Sequence, residues 1–388
     1  MGDNHRGGFQ YLVFRGAHGP AERIVIGIEA ELSVEDVRSR ISTNGTHQSP
    51  TIADQLVTGF RLRHSIALGS DPVSPLSGFL ILDEELHIHA EVESNDSQLI
   101  MMATRRQDAL SLSSPLIAHG TEITWLDMVI ERPVQTAEAL DTLQLWSLPA
   151  PLSLLAQVKL FSPIVDVFAT SVATVRVYRF DPLAGRGPGI PSVSGEITPR
   201  GNQLPALAAF LQAQHPMAWE KTVQRVRLVA PDVDHITVRS DHDRRLRLEF
   251  SESGLISPWT DNEVSDGTLR SLMLFAAIFD PRGSLKAFEE PENSLHPWAI
   301  RAFVDACREV LAEPAPKQLA VTTHSQALID YVTPEEVTIV WRQDGATMVR
   351  PLLQLDPTVR DYWAEGRGRL SNLLNSGLLL ETVPSSST

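Results

Sequence analysis

Residues 284–297 read SLKAFEEPENSLHP: a short apolar run, two adjacent carboxylates at Glu289 and Glu290, then Pro291. Proline has no N–H to give a ladder and restricts the residue before it, so the spacing predicts a strand that ends on the two carboxylates. Successive strand side chains face opposite ways, which lets the pair take separate jobs. One of them is predicted to hold Mg²⁺ through water and the other to polarise an attacking water, the division of labour that phosphoryl transfer requires. The plainer alternative is a solvated acidic strand end, an ordinary place for glutamate.

Two flanking stretches share this design. Upstream, VSDGTLR at 264–270 leads directly into the apolar run LMLFAAIF at 272–279. A Ser-Asp-Gly turn opening a helix exposes free backbone N–H groups at the positive end of the helix dipole, a suitable seat for an anionic phosphate, with Ser265 and Gly267 facing it. An ordinary N-cap is the alternative for Ser265 or Asp266. Downstream, LAVTTHSQALIDYV at 319–332 predicts a second apolar strand ending in Thr322-Thr323-His324-Ser325, then a helix. A histidine at such a junction is otherwise a structural hydrogen-bonding residue.

In this order the three stretches resemble the signature motif, the Walker B and D-loop, and the switch histidine of ABC-type ATPases. Asp266-Gly267-Thr268 and Glu289-Glu290-Pro291-Glu292 are closest to the RecF, SMC and OLD-like branch, labelled AAA ATPases of the AbiEii-type group, rather than to transporters. The likeness extends to VYRFDP at 177–182, ITPRGNQLPALAAFL at 197–211 and WAEGRGRLSNLL at 363–374. It implies an α/β P-loop NTPase head that uses ATP and Mg²⁺. Ser265, Asp266, Gly267 and Thr268, with Asn293 and Ser294 of the D-loop, would then meet nucleotide held by a partner. Glu289 would position Mg²⁺, Glu290 would act as catalytic base and His324 would sense the γ-phosphate. Such heads form head-to-head dimers that close on ATP. DNA and a nuclease or toxin are the further partners the resemblance admits.

No G-x-x-x-x-G-K-[ST] occurs in the 388 residues, although a site of this kind needs that loop to wrap the phosphates. Relatives carry it ahead of the segment matching Arg6-Gly7-Gly8-Phe9, so the first strand and P-loop are expected upstream of Met1. Two alternatives stay open: a non-hydrolysing scaffold that keeps the fold, and a chain completed by a P-loop-bearing protomer.

The rest of the chain sets bounds. Lysine and arginine number 33 against 48 aspartate and glutamate, a net charge of −15, which argues against a nucleic-acid coat. One cysteine, Cys307, forms no internal disulfide, and MGDNHRGGFQ lacks a signal-peptide core, so a cytoplasmic setting without a membrane anchor is expected. Alternating runs between 23 and 93 predict an antiparallel meander, with a further edge at 121–126. Helical spacing follows in AEALDTLQLW at 137–146 and LSLLAQVKLF at 152–161, and a Gly- and Pro-rich linker or mobile loop after Phe180. The organisation expected is thus 1–135 as a β-rich part of the head, 136–203 as helical insertion and loop, and 204–388 as the part carrying the motifs.

Other signals point to structure. His87 and His89 share a strand face without a third ligand, and Cys307 sits in an apparent helix core. The arginines between 225 and 247 alternate with Asp232, Asp234, Asp241 and Asp243, the pattern of a salt-paired surface rather than of a DNA path.

Overall fold

Period-two alternation between residues 23 and 106 is realised as an antiparallel sheet with one apolar and one charged face. The computed structural model describes residues 15–16, 19–20, 23–40, 51–52, 55–70, 79–94, 96–106, 109–113, 143–144, 154–158 and 162–375, the last run without 255, 314–316, 344–345 and 367. Two compact units result, Met1–Ala173 and Thr174–Thr388.

In the first unit, β1 (Arg23–Ser33) leads into helix α1 (Val34–Arg40), and the sheet continues through β2 (Gln55–Ser70), β3 (Phe79–Val92), β4 (Ser97–Arg106) and β5 (Ala109–Ser113). Each strand pairs antiparallel with the next. Phe60, Leu62, Leu86, Ile88 and Ala90 form the apolar face and bury against α2 (Leu154–Val158) and α3 (Pro163–Ala173) through Leu154, Ile164 and Phe168. On the opposite face Arg61 reaches Glu31 at 3.3 Å and Arg63 reaches Glu29 at 3.0 Å. One carboxylate points inward: Glu84 is fully buried, 2.7 Å from His64 Nε2, and accepts from the Leu154 amide at 2.7 Å. That second bond satisfies an otherwise unpaired N–H at the start of α2.

The predicted strand at 121–126 lies outside the described residues. Within 137–146 only Leu143–Gln144 is described, and it is strand, paired with Ser111 and Leu112. The edge of β5 supplies backbone partners there, and tertiary pairing overrides helical spacing.

The second unit is built on a parallel sheet, β6 (Arg176–Tyr178), β9 (Leu285–Glu289) and β10 (Gln318–Thr322), in the order β6-β9-β10. Between β6 and β9 lie α4 (Pro182–Gly185), α5 (Leu204–Gln214), α6 (Pro216–Val229), the antiparallel pair β7 (Val233–Ser240) and β8 (Leu246–Glu252), and α7 (Asp266–Phe279). The crossover from β9 to β10 is α8 (Pro297–Leu311), as parallel neighbours require. Every residue of α7 from Leu269 to Phe279 is buried, so the helix is apolar all round because it runs through the core. Tyr178, Phe288 and Phe303 stack into the same core from the sheet and α8. After β10 come α9 (Gln326–Ile329), the hairpin β11 (Thr338–Gln343) and β12 (Ala346–Pro351), and short helices that bury Leu352, Val359, Leu370 and Leu373 together.

The Gly- and Pro-rich passage read as a linker belongs to this unit and is pinned to it. Gly189 and Leu246 exchange two backbone bonds of 2.8 Å, and Asp181 N donates to Arg200 O at 2.9 Å. A Cβ at Gly201, whose φ is +107°, would stand 2.3 Å from Met273 Sδ, so glycine there serves close packing on α7. The break between compact units falls instead at Ala173/Thr174.

Most of the arginines between 225 and 247 have partners inside the unit. Arg225 pairs with Glu309 at 2.8 Å, Arg239 with Glu249 at 2.7 Å and Arg247 with Asp241 at 3.6 Å, while Arg227 donates to the Val233 carbonyl at 3.1 Å. Among the described residues no helix is long and apolar enough to cross a membrane. Cys307 is half-buried on α8, and burial pushes its thiol up to about 12, which disfavours the thiolate.

Lys286 interrupts the apolar run of β9 and is buried. Its Nζ donates to Ala277 O at 2.8 Å, to Ile278 O at 3.2 Å and to Asp280 O, capping the carbonyl end of α7 with a cation. Burial pulls its pKa from 10.5 down to about 8. Below that value both folded and unfolded states hold the proton. As pH rises from about 8 to 10.5 the folded state sheds it first, so Lys286 makes stability rise with pH in that window. Urea unfolding of the natural chain and of Lys286→Met across this range should show the natural chain gaining on the variant by up to about 3 kcal/mol.

Candidate functional site

Strands β9 and β10 run side by side in one direction, so their carboxyl ends deliver their last residues to one edge, where open α/β sheets place ligands. The register pairs Leu285 with Gln318 and ends with Glu289 against Thr322. One residue further, the Glu290 amide donates to the Thr322 carbonyl at 2.9 Å. This brings Glu289 and Glu290 beside the chain that leads to Thr323 and His324.

The strand stops at Glu289, and Glu290 has φ +45°, in the left-handed region. Alternation along a strand therefore does not separate the two carboxylates, as the sequence suggested. The turn does: Pro291 ends the pairing, and Glu290, tied by its amide to Thr322 O and by its carbonyl to Arg270, holds the left-handed conformation. Glu289 is part-exposed, with Arg179 Nε 4.0 Å from its Oε2. Glu290 Oε2 accepts from Asn293 Nδ2 at 3.0 Å, so Asn293 orients the carboxylate within the same turn. Four described non-glycine residues have positive φ, and two of them, Glu290 and Ser294, lie in this turn, a concentration of strain typical of functional segments.

The start of α7 packs on the turn. A Cβ on Gly267 would lie 3.2 Å from Ser294 O, so the residue has to be small for the two segments to meet. Ser265 is the N-cap of α7, accepting from Thr268 N at 3.1 Å and sharing a 2.8 Å bond with the Thr268 hydroxyl. Both serine readings thus coexist: an exposed helix start, capped by its own serine. Asp266 pairs with Arg186 at 2.5 Å, and the same guanidinium donates to Asp261 O at 2.7 Å and Val264 O at 2.9 Å. Neutralising Asp266 in this way removes a carboxylate that would otherwise repel an anion at the helix start. His324 is exposed, in the loop where Thr323 Oγ1 accepts from the Ser325 amide at 2.9 Å and donates to Glu292 Oε1 at 2.5 Å.

Signature, carboxylate turn and histidine loop are thus adjacent, joined by Gly267 to Ser294, Glu290 to Thr322 and Glu292 to Thr323. Among the described residues, however, the His324 ring makes no hydrogen bond to Glu290. Sequence reading assigned no role to Arg186, Arg270, Lys286 or Glu292. Arg270 is buried and donates to three main-chain carbonyls of this region; burial lowers its pKa, while Glu292, Asp181 and Glu290 oppose that shift. Its signal was an arginine inside an apolar helix, a position that demands buried acceptors.

Parallel strands thus bring acidic and histidine-bearing termini to one edge, beside a capped helix start. Residues 206–330, a third of the chain, match the family model described as AAA domain, putative AbiEii toxin, Type IV TA system, and this stretch contains the helix start at Ser265, the carboxylate turn and the histidine loop. Comparison with curated proteins gives no match. Among solved structures, the chain is similar to an Smc head bound to the C-terminal winged-helix domain of ScpA, at 11% identity and TM-score 0.34, over 72% of this chain and 76% of that one. The SMC head domain from Thermotoga maritima matches at 8% identity and TM-score 0.28, over 75% and 74%. An Smc head with an extended coiled coil, bound to the C-terminal domain of ScpA and derived from Pyrococcus furiosus, matches at 10% and 0.29, over 80% of each.

Ser265→Ala removes the α7 cap and should lower stability by about 1 kcal/mol in urea unfolding, whereas Ser265→Asp, which also caps, should retain most of it.

Proposed function

We propose that this chain is an ATP-binding, Mg²⁺-dependent ATP-hydrolysing switch, with Glu290 as the base that orients water. The arrangement that supports the reading best is the convergence of Glu289, Glu290 and the Thr323-His324 loop at the carboxyl ends of adjacent parallel strands. Glu289 is the residue that would hold Mg²⁺. It fits that task as a part-exposed oxygen donor, since Mg²⁺ commonly takes one or two carboxylates and completes its shell with phosphate oxygens and water. Bound there, Mg²⁺ would neutralise developing phosphate charge.

Glu290, held by Asn293, accepts a proton from water, and His324 in the exposed loop is the candidate sensor of the terminal phosphate. The helix start at Ser265–Thr268 offers its N–H groups to an anion, in the manner of a protomer facing a second nucleotide site. No P-loop sequence occurs in these 388 residues, so the loop that completes each site comes either from chain upstream of Met1 or from a P-loop-bearing protomer. DNA repair or phage defence, with a nuclease or toxin as partner, is the setting taken from the resemblance to RecF, SMC and OLD-like proteins, and the matched family's description names a toxin and a Type IV TA system. A cytoplasmic setting accords with the reduced Cys307.

Turnover of Mg·ATP by the chain, alone and with a P-loop-bearing partner, tests the reading. Glu290→Gln should reduce kcat by about a hundredfold or more while nucleotide binding persists. A scaffold that has lost the chemistry would bind and behave identically with either residue.

A further inference from the structure

Arg270 lies one turn inside α7 and is 5% exposed. Its guanidinium reaches the carboxyl ends of two parallel strands at once. Nη1 donates to Phe180 O at 2.8 Å, just beyond β6, while Nη2 donates to Glu290 O at 2.9 Å and Nε to Pro291 O at 3.4 Å, just beyond β9. All three acceptors are neutral main-chain carbonyls. A buried cation costs several kcal/mol of desolvation, and a leucine of similar length would fill the helix core without it. The feature that only a guanidinium supplies is a planar fork that fixes several acceptors in one geometry.

What the fork fixes is the backbone around Glu290. The amide of Glu290 is tied to Thr322 O at 2.9 Å, and its carbonyl is tied to Arg270. Between these two ties the residue sits at φ +45°, a conformation that glutamate leaves readily when nothing holds it. The direction of the Glu290 carboxylate follows from that φ.

We propose that Arg270 is a positioning residue: it clamps the Glu290 peptide in the left-handed conformation and so aims the carboxylate toward the site edge. The claim about conformation stands on the contacts above, and only its consequence for turnover rests on the proposed hydrolysis. Anything that shifts the start of α7, where Ser265 and Gly267 lie, also shifts the fork and with it Glu290.

The test compares the full chain with Arg270→Met and Arg270→Lys by hydrogen exchange and by Mg·ATP turnover in the presence of the P-loop-bearing partner. In Arg270→Met, amides of residues 290–295 should exchange about tenfold faster or more while those of 272–279 in α7 stay protected. Arg270→Lys, which keeps the charge and can reach one carbonyl, should recover part of the protection. Turnover should lose about a hundredfold in kcat with KM within about twofold, again with partial recovery in Arg270→Lys. Exchange that rises equally along α7 and the turn, or an unchanged turn, overturns the proposal, since Arg270 is then a core filler. If the natural chain shows no turnover, the hydrolysis reading fails and the exchange comparison alone decides the clamp. If Arg270→Met does not fold, the same exchange comparison is made on Arg270→Lys, where a turn as fully protected as in the natural chain overturns the proposal.

Discussion

The bond from the Glu290 amide to the Thr322 carbonyl is the last rung between two parallel strands, and the geometry of the site follows from the register it closes. A slip of one residue would turn Phe288 out of the core and carry Lys286 away from the end of α7, because neighbouring strand positions face opposite sides. The register is therefore enforced from below by packing: Phe288 against Tyr178 and Phe303, and the Lys286 ammonium against three carbonyls. Core and site edge are two readings of one alignment.

A common device recurs around this alignment. Arg186, Arg270 and Lys286 each direct a cation at main-chain carbonyls where regular structure ends and hydrogen-bonding groups are left over. The signature loop, the carboxylate turn and the carbonyl end of α7 are each held in this way. Loops held by charge-assisted bonds keep a fixed shape without bulky apolar residues, which leaves their outer surface open to a polar ligand.

The fold and the site were unequally legible in the sequence. Strands at 285–289 and 318–322, the helix start at Ser265 and the antiparallel meander all follow from local periodicity and turn chemistry, which act over a few residues. The partners of Arg186 lie about 75 residues away and those of Arg270 up to 90 away, and no local spacing encodes them. Lys286 stands in an otherwise apolar strand, and no local spacing gives its role because its acceptors belong to another element. The left-handed Glu290 escaped notice for a related reason: a proline predicts that the pairing stops, whereas the sign of φ beside it is chosen by the tertiary contacts. At Leu143–Gln144, pairing with β5 outweighed helical spacing, again a choice made outside the segment.

With Glu290 in the role proposed for it, its conformation sets folding and chemistry against each other at a single position. A glutamate held at φ +45° costs about 1–2 kcal/mol relative to a residue at ease there. Glycine or asparagine would relieve that cost, so a lineage drifting under selection for folding alone would be drawn toward them. A copy released from its chemistry should therefore become inactive and more robust in the same step, and genetic decay would begin at this turn rather than in the core.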